Sequence, residues 1–204
     1  MIPPEIASAI AITTRSNPDY EVVYADDTFM VEFIRQHYDD ELLVFYQENK
    51  IPASRSDIAR LLLLYHYGGI YLDAAMEVSN SIGQLTDNDP EIVVARRDDF
   101  TLDRPHICSS PLGAIPRCRF IDEAIAMVRY NIRHRLFNNN VWKATGPHTL
   151  NLLLPKYAEL YKIEEHKFSQ LLKTFFVYRR VHGVSNSWVT EQGHGIYEPL
   201  HVSP

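Results

Sequence analysis

The stretch that decides the fold runs from residue 54 to residue 77 and reads SRSDIARLLLLYHYGGIYLDAAME. Its first part carries apolar residues at the spacing of one helix face, namely Ile58, Leu61, Leu62 and Tyr65. Gly68 and Gly69 predict the end of that helix, because glycine adopts the backbone conformations that helix ends require. Residues 70–72 are typical of a short buried strand that ends at Asp73. The stretch therefore predicts a helix, a tight turn and a strand in direct succession.

Segments on both sides of this stretch alternate between helical and strand-like patterns. We expect helices over 6–16, after Asp26-Asp27, after Asp39-Asp40, from Ser54 or Ser56, over 120–136 and after Thr145-Gly146-Pro147, and strands over 20–24, 92–95, 112–115 and 175–181. Helices that alternate with strands favour an α/β fold with a mostly parallel sheet. No Pro/Gly/Ser-rich linker interrupts the pattern, so residues 1–204 are interpreted as one domain.

The composition, 46% hydrophobic and 23% charged over 204 residues, is ordinary for a globular protein. A formal net charge of −6 makes the chain a poor nucleic-acid binder, since phosphates require a basic face. Two cysteines, Cys108 and Cys118, cannot form a disulfide framework, and reduced thiols are favoured over a single bridge. No segment reaches the roughly 18 apolar residues of a membrane span. We therefore expect a cytoplasmic chain without a transmembrane segment, unless a targeting or anchoring segment was removed.

Four side chains of the deciding stretch are expected to face one crevice. Asp57 and Arg60 are three residues apart and so lie near each other at the start of the helix. Tyr71 and Asp73 lie at the end of the strand, and open α/β sheets bind ligands outside the carboxyl ends of their strands. The alternative is purely structural, with a solvated Asp73 and a surface Asp57–Arg60 pair worth about 0.2–0.5 kcal/mol. On this surface placement, replacing Asp57 or Arg60 by alanine is expected to leave stability nearly unchanged.

These residues resemble the sugar-binding region of the DXD-motif glycosyltransferases. The match comprises Ser56-Asp57-x-x-Arg60 and Tyr65-x-x-Gly68-Gly69-x-Tyr71-x-Asp73, with further similarity at 17–21, Asp26-Asp27, Thr145-Gly146-Pro147, Val181-His182 and Ser187-Trp188. Together they cover roughly residues 5 to 190. The family includes fungal outer-chain mannosyltransferases, bacterial capsular-polysaccharide transferases and clostridial toxin glucosyltransferase domains.

The resemblance implies a fold and a reaction. The fold is the Rossmann-like glycosyltransferase A fold, a mixed and mostly parallel sheet flanked by helices, here lacking the usual first strand. The reaction is the retaining transfer of a hexose from a nucleotide-diphosphate sugar to a glycan, polysaccharide or protein. A UDP-sugar is the favoured donor, with GDP-mannose as the other candidate. The expected cofactor is Mn²⁺ or Mg²⁺, which stabilises charge on the diphosphate leaving group.

The resemblance also assigns roles to individual residues. Asp57 and Arg60 match the pair that contacts the transferred sugar, and Asp73 matches the first carboxylate of the DXD motif, beside the donor ribose and metal. Tyr71 matches a donor-pocket aromatic. Ser109 or Ser110 stands where relatives carry an asparagine that contacts the sugar, with a shorter reach. The remaining matches are late in the chain: Ser187 and Trp188 would close over the diphosphate, and His182 would approach the metal or diphosphate unless it is a buried structural histidine.

The sequence departs from the family pattern at the second DXD carboxylate, where it has Ala75. That position usually supplies the direct metal ligand, and Glu77 is a candidate replacement because it has the same strand parity as Asp73. A natural loss, a metal-independent variant and an engineered change all stay open. The alternative function is therefore a catalytically impaired homologue that binds a nucleotide sugar or a partner protein, and a nucleotide-sugar hydrolase is a third candidate.

Overall fold

The computed structural model describes residues 2–98, 106–174, 176–178 and 192–197. Its helices are α1 (Pro4–Ser16), α2 (Asp27–His37), α3 (Asp40–Glu48), α4 (Pro52–Tyr67), α5 (Arg119–Arg133), α6 (Val141–Ala144), α7 (His148–Tyr157) and α8 (Phe168–Thr174). Its strands are β1 (Gly69–Tyr71), β2 (Met76–Val78), β3 (Ile92–Arg96), β4 (Ile107–Ala114), β5 (Ile163–Lys167) and β6 (Phe176–Tyr178). Within the described residues 2–16, no strand precedes α1.

Most helices begin where the sequence predicts. The Asp26 carboxylate accepts a hydrogen bond from the backbone N–H of Phe29 at 2.8 Å, and that of Asp39 accepts from Leu42 at 3.1 Å. These side chains satisfy backbone donors that the first helical turn leaves unpaired, and so set the starts of α2 and α3. Helix α4 begins at Pro52, before the predicted serines, because proline suits the first helical turn.

The prediction of a mostly parallel sheet is wrong, since two of the three strand pairings in the main sheet are antiparallel. The strand order is β1-β4-β3-β5, in which β4 runs antiparallel to both β1 and β3, and only β3 and β5 are parallel. A parallel pair needs a long crossover, and between β3 and β5 the chain passes through β4 and helices α5 to α7. The chain returns from β3 to β4 by a much shorter connection, which favours an antiparallel pair. A separate antiparallel pair joins β2 and β6.

The prediction of a strand over residues 20–24 is wrong. Residues 21–26 have no regular secondary structure, although their composition is typical of a strand. Val23 is 59% exposed, and Val22 and Tyr24 on the alternate positions are only partly buried, so this segment has no fully buried face that would fix it in a sheet.

Both faces of β3 are covered by hydrophobic clusters. Ile92 and Val94 belong to the larger cluster, whereas the alternate residues Val93 and Ala95 belong to a second one with β2 and α8. The larger cluster lies between the sheet and helices α2 to α5 and α7. Helix α4 passes through it and packs on α5, so its polar residues are held inside the protein.

Candidate functional site

The site begins with a buried ion pair on α4. Arg60 Nη1 lies 2.8 Å from Asp57 Oδ1, and only 5% and 9% of the two side chains are exposed. The expectation of a surface pair is therefore wrong. The two residues lie one helical turn apart, as predicted. Their neighbours on α4, including Ser54 and Leu61, are buried as well, so the pair has little access to water.

Asp73 joins this pair from the end of β1. Its Oδ1 lies 3.5 Å from Arg60 Nη2, and 36% of its side chain is exposed, much more than that of Asp57. The Asp73 backbone N–H donates to Ser110 Oγ at 2.9 Å, which fixes the start of the turn against β4. Tyr71 completes the group, with the Arg60 guanidinium carbon 4.8 Å from its ring centroid. The structure thus brings together Asp57, Arg60, Tyr71 and Asp73, as the sequence predicted.

Burial shifts the titration of these groups. It raises the pKa of Asp57 to about 6, against the opposing effects of the Arg60 charge and a hydrogen bond from Thr145. Burial alone would lower the pKa of Arg60, but the charges of Asp57, Tyr71 and Asp73 outweigh it and hold that pKa above its usual range. Burial likewise raises the pKa of Tyr71 to about 12. Arg60 is therefore a permanent positive charge, while Asp57 titrates near the physiological range.

A narrow crevice lies beside the pair, and its accessible volume is about 0 Å³, so it is closed even to a water molecule. Its lining comprises Asp57, Arg60, Leu61, Ser109, Thr145, Gly146, Pro147, Thr149 and Leu150. Ser109, predicted to contact the sugar, therefore lies at the same crevice, on β4. The buried Nε of Arg60 has no hydrogen-bond partner in the described parts of the chain. A buried donor without a partner at a crevice is suited to an anionic or hydroxyl-rich ligand.

Thr145 is the site residue that the site predictions missed. Its Oγ1 lies 3.3 Å from Asp57 Oδ2, although 88 residues separate the two in the chain. Thr145-Gly146-Pro147 is one of the segments that resemble the glycosyltransferase pattern, but its sequence alone predicts only the start of a helix. Gly146 allows the close turn, since an added Cβ there would lie 2.9 Å from Trp142 Cα.

Comparison with known proteins shows what the part of the chain that carries this site is similar to. Residues 3–92 match the family described as "Glycosyltransferase sugar-binding region containing DXD motif". Over these residues the chain is similar to the DXD-motif glycosyltransferases. It is 24% identical over 176 residues to mannosyl phosphorylinositol ceramide synthase SUR1 of Saccharomyces cerevisiae, covering 86% of this chain and 43% of that protein. It is 25% identical over 142 residues to inositol phosphoceramide mannosyltransferase 2 of Schizosaccharomyces pombe, covering 69% and 39%.

A solved structure supports the fold. The PaToxG glycosyltransferase superposes with a TM-score of 0.55 at 21% identity, over 78% of this chain and 64% of that one. This likeness shows the glycosyltransferase A-like α/β fold. The chain spans 43% and 39% of the lengths of the two fungal relatives.

The structure describes only some of the predicted metal ligands, which are Asp73, Glu77 and His182. Residues 74–75 form a turn, in which the Met76 N–H donates to the Asp73 carbonyl at 2.8 Å, and Glu77 lies on the separate strand β2 with 5% of its surface exposed. The strand-parity argument for Glu77 is therefore wrong, because the turn breaks the alternation, and Glu77 as a ligand stays a prediction. His182, Ser187 and Trp188 lie outside the described residues.

The described residues alone do not fit a divalent metal. A hard cation takes six or more oxygen ligands, but the site offers the partly exposed carboxylate of Asp73, while Ala75 carries only a methyl group. No group of three or more His, Cys, Asp or Glu side chains suited to a metal occurs in the parts of the chain described. Within those parts, no helix has both the length and the apolar character to cross a membrane.

Proposed function

We propose that this chain transfers a hexose from a nucleotide-diphosphate sugar to an acceptor, with retention at the anomeric carbon. The observation that carries the proposal is the buried Asp57–Arg60 pair, which lines a crevice and leaves the Arg60 Nε without a partner among the described residues. A charged pair this deep is difficult to explain by stability, because desolvation offsets most of its attraction.

Each described residue has a role in this proposal. Asp57 accepts hydrogen bonds from hydroxyl groups of the donor sugar, and its burial excludes competing water. Arg60 stabilises the negative charge that grows on the diphosphate as the glycosidic bond breaks, an effect that is strong where water is excluded. The Tyr71 ring packs against the Arg60 guanidinium, whose carbon lies 4.8 Å from the ring centroid, and so helps to hold it in place. Asp73, the most exposed of the four, contacts the donor ribose in this proposal, and Ser109, which lines the crevice, contacts the sugar.

The relatives' names support a choice of sugar. The two fungal relatives are named for mannosyl transfer involving inositol phosphoceramide. We therefore place GDP-mannose beside the UDP-sugars as a donor to be tested, and an inositol-containing lipid beside the glycan, polysaccharide and protein acceptors.

One observation favours a second candidate, a homologue that binds without turnover. Ala75 removes the second DXD carboxylate, and the described residues do not replace it. The binding pair Asp57–Arg60 is nevertheless intact, so such a homologue would keep donor affinity and lose transfer.

A thermal-shift panel tests donor binding. UDP, GDP, UDP-glucose, UDP-galactose, UDP-N-acetylglucosamine and GDP-mannose are each added with Mn²⁺ or with EDTA. A ligand at a hundred times its Kd stabilises by about 2.7 kcal/mol, which raises the Tm by roughly 5–10 °C. We expect one nucleotide series to shift the Tm, with the sugar adding to the effect of the nucleotide.

The matched control uses a second arginine of α4. Arg55 pairs with Asp27 at 3.1 Å and does not line the crevice. Arg60→Met is expected to abolish the shift, whereas Arg55→Met keeps it. Equal loss in both variants, or no shift with any nucleotide, contradicts donor binding at this crevice. Radiolabelled donor then separates the activities, since a transferase labels an acceptor, a hydrolase releases free sugar and a binding homologue does neither.

A further inference from the structure

A surface segment between α5 and α6 combines exposed aromatic rings with positive charges. In this α5–α6 segment, residues 134–140, Phe137 is 43% exposed and Arg135 is exposed as well. Lys143 of α6 places its Nζ 5.9 Å from the Phe137 ring centroid. Tyr130, 58% exposed in the last turn of α5, adds a second ring just before the segment. Single exposed apolar residues are normal on protein surfaces, so the significance of this segment rests on its backbone and its charge.

The backbone of the α5–α6 segment is held in a conformation that keeps Phe137 at the surface. Arg135 and Phe137 have φ angles of 51° and 56°, in the left-handed region that large side chains rarely adopt. Such a conformation persists only where the surrounding structure fixes it. Here Asn138 Oδ1 accepts the Tyr197 backbone N–H at 2.9 Å, and the hydroxyl of the buried Tyr197 lies 2.9 Å from the Leu136 carbonyl oxygen. The protein therefore maintains a strained segment whose aromatic side chain stays out of the core.

The segment also lies in a part of the chain that has no acidic residue. Residues 124–158 contain five Lys or Arg and no Asp or Glu, although the formal net charge of the whole chain is −6. Three of the five form surface ion pairs, namely Arg129 with Asp39, Arg133 with Glu41 and Lys156 with Glu123. The other two, Arg135 and Lys143, have no carboxylate partner among the residues that the structure describes, and lie over the rings of Tyr197 and Phe137. Their charges are therefore available to an anionic partner.

We propose that the α5–α6 segment docks on the surface of a membrane that contains anionic phospholipids. Arg135 and Lys143 contact the lipid headgroups, and Phe137 inserts at the boundary between headgroups and acyl chains. Apolar and aromatic side chains flanked by basic residues bind membrane interfaces in this way, because buried apolar area and attraction to anionic lipids add together. This inference goes beyond the proposed function and does not depend on it.

Charge and chemistry favour a lipid surface over a soluble polyanion. Nucleic acid binding neutralises many phosphates at once and needs an extended basic face, whereas this chain is negative overall. In salt, a charged membrane acts over only about 8 Å, so negative charge elsewhere on the protein opposes docking little. A membrane also buries the ring of Phe137, which is a source of affinity that a soluble polyanion leaves unused.

Docking here would place the proposed donor crevice close to the membrane. Thr145, which lines the crevice, follows Lys143 by two residues. A lipid acceptor would then reach the crevice without leaving the bilayer. That consequence rests on the proposed function, whereas the docking itself does not.

The test is co-sedimentation of the full chain with lipid vesicles, without any donor. Vesicles of phosphatidylcholine are compared with vesicles in which about 30% of the lipid is phosphatidylserine. We expect binding to the anionic vesicles alone, and weaker binding at high salt, which screens the attraction. Arg135→Asn and Lys143→Gln should each weaken the affinity about fivefold, the effect of one basic residue near such a surface. Phe137→Asn should weaken it about tenfold or more, because the inserted ring is lost.

The choice of substitutions keeps the test decisive. Asparagine tolerates the left-handed backbone of positions 135 and 137, so these variants should keep the fold and the Tm. The matched controls are Leu160→Asn, which removes an apolar side chain that is 64% exposed after α7, and Arg35→Gln on α2, whose side chain is 49% exposed. Both should bind as the wild type does. If Phe137→Asn does not fold, Phe137→Trp keeps a ring and should bind at least as tightly, with a blue shift of its emission on anionic vesicles.

Three results would overturn the proposal. The first is no binding to the anionic vesicles, or equal binding to the neutral ones. The second is binding that Phe137→Asn leaves unchanged, or a Phe137→Trp emission that stays constant, since the ring then does not enter the interface. The third is retention on heparin that Arg135→Asn and Lys143→Gln reduce while vesicles stay unbound, which would mean a site for soluble polyanions. Each result is obtained without a nucleotide sugar, so failure of the proposed function leaves this test intact.

Discussion

Breaking the buried pair on α4 should destabilise the whole fold. Asp57→Asn removes one charge and leaves the Arg60 guanidinium, 5% exposed, with Asp73 at 3.5 Å as its charged neighbour. Arg60→Met leaves a buried carboxylate that keeps the Thr145 hydrogen bond. Removing one partner of a buried pair typically costs about 3–5 kcal/mol. Burial raises the pKa of Asp57 and so disfavours its ionised form, and Asp73 compensates in part for Arg60, so we expect Asp57→Asn to cost much less than this range and Arg60→Met to reach its upper end.

The assay is urea unfolding at pH 7, followed by circular dichroism, with the Tm as a second measure. For a domain of this length, 3–5 kcal/mol corresponds to a fall in Tm of roughly 6–20 °C. The control is Arg133→Met, which removes an exposed pair with Glu41 whose side chains are 59% and 43% accessible. An exposed pair is worth about 0–1 kcal/mol.

The double variant Asp57→Asn/Arg60→Met sharpens the test. It should lose less than the sum of the single changes, because no uncompensated charge remains in that position. If Arg60→Met is as stable as Arg133→Met, the pair is solvated in solution and the argument from its burial fails.

Three further predictions concern pH, backbone and metal. Burial raises the pKa of Asp57 to about 6, above its unfolded value of about 3.9, so the folded state binds this proton more tightly. The contribution of Asp57 to the free energy of unfolding should fall by on the order of 3 kcal/mol as pH rises from about 4 to 6, and should stay constant above pH 6. A plot of Tm against pH should show this fall in the wild type and lack it in Asp57→Asn. Gly68→Ala should destabilise the fold by about 2 kcal/mol in urea unfolding, because Gly68 has a φ of 70° and an added Cβ would lie 2.6 Å from Pro116 Cδ. The control Gly193→Ala should leave stability unchanged, because no atom lies within 4 Å of an added Cβ there. Ala75→Asp should raise Mn²⁺-dependent donor turnover, and turnover that stays unchanged with Mn²⁺ would count against metal loss as the limit on activity.

The sequence by itself determined the local features of this protein. The aspartates at 26 and 39 start two helices because a side chain satisfies backbone donors only a few residues away. The deciding stretch likewise places Asp57 and Arg60 one helical turn apart, and the Gly68-Gly69 turn returns the chain so that Tyr71 and Asp73 reach the guanidinium. Residues a few positions apart in the chain can adopt few relative placements, so their spacing alone was enough to predict that they lie together.

The tertiary structure decided everything that depends on distant partners. Parallel and antiparallel strands have similar apolar patterns, so the antiparallel pairing of β1 with β4 follows only from how the chain returns. Spacing also could not tell a surface pair from a buried one, because burial at Asp57 depends on what packs over α4. Thr145, 88 residues away, shows the same limit, since a hydrogen bond between such residues exists only after the core has brought their elements together.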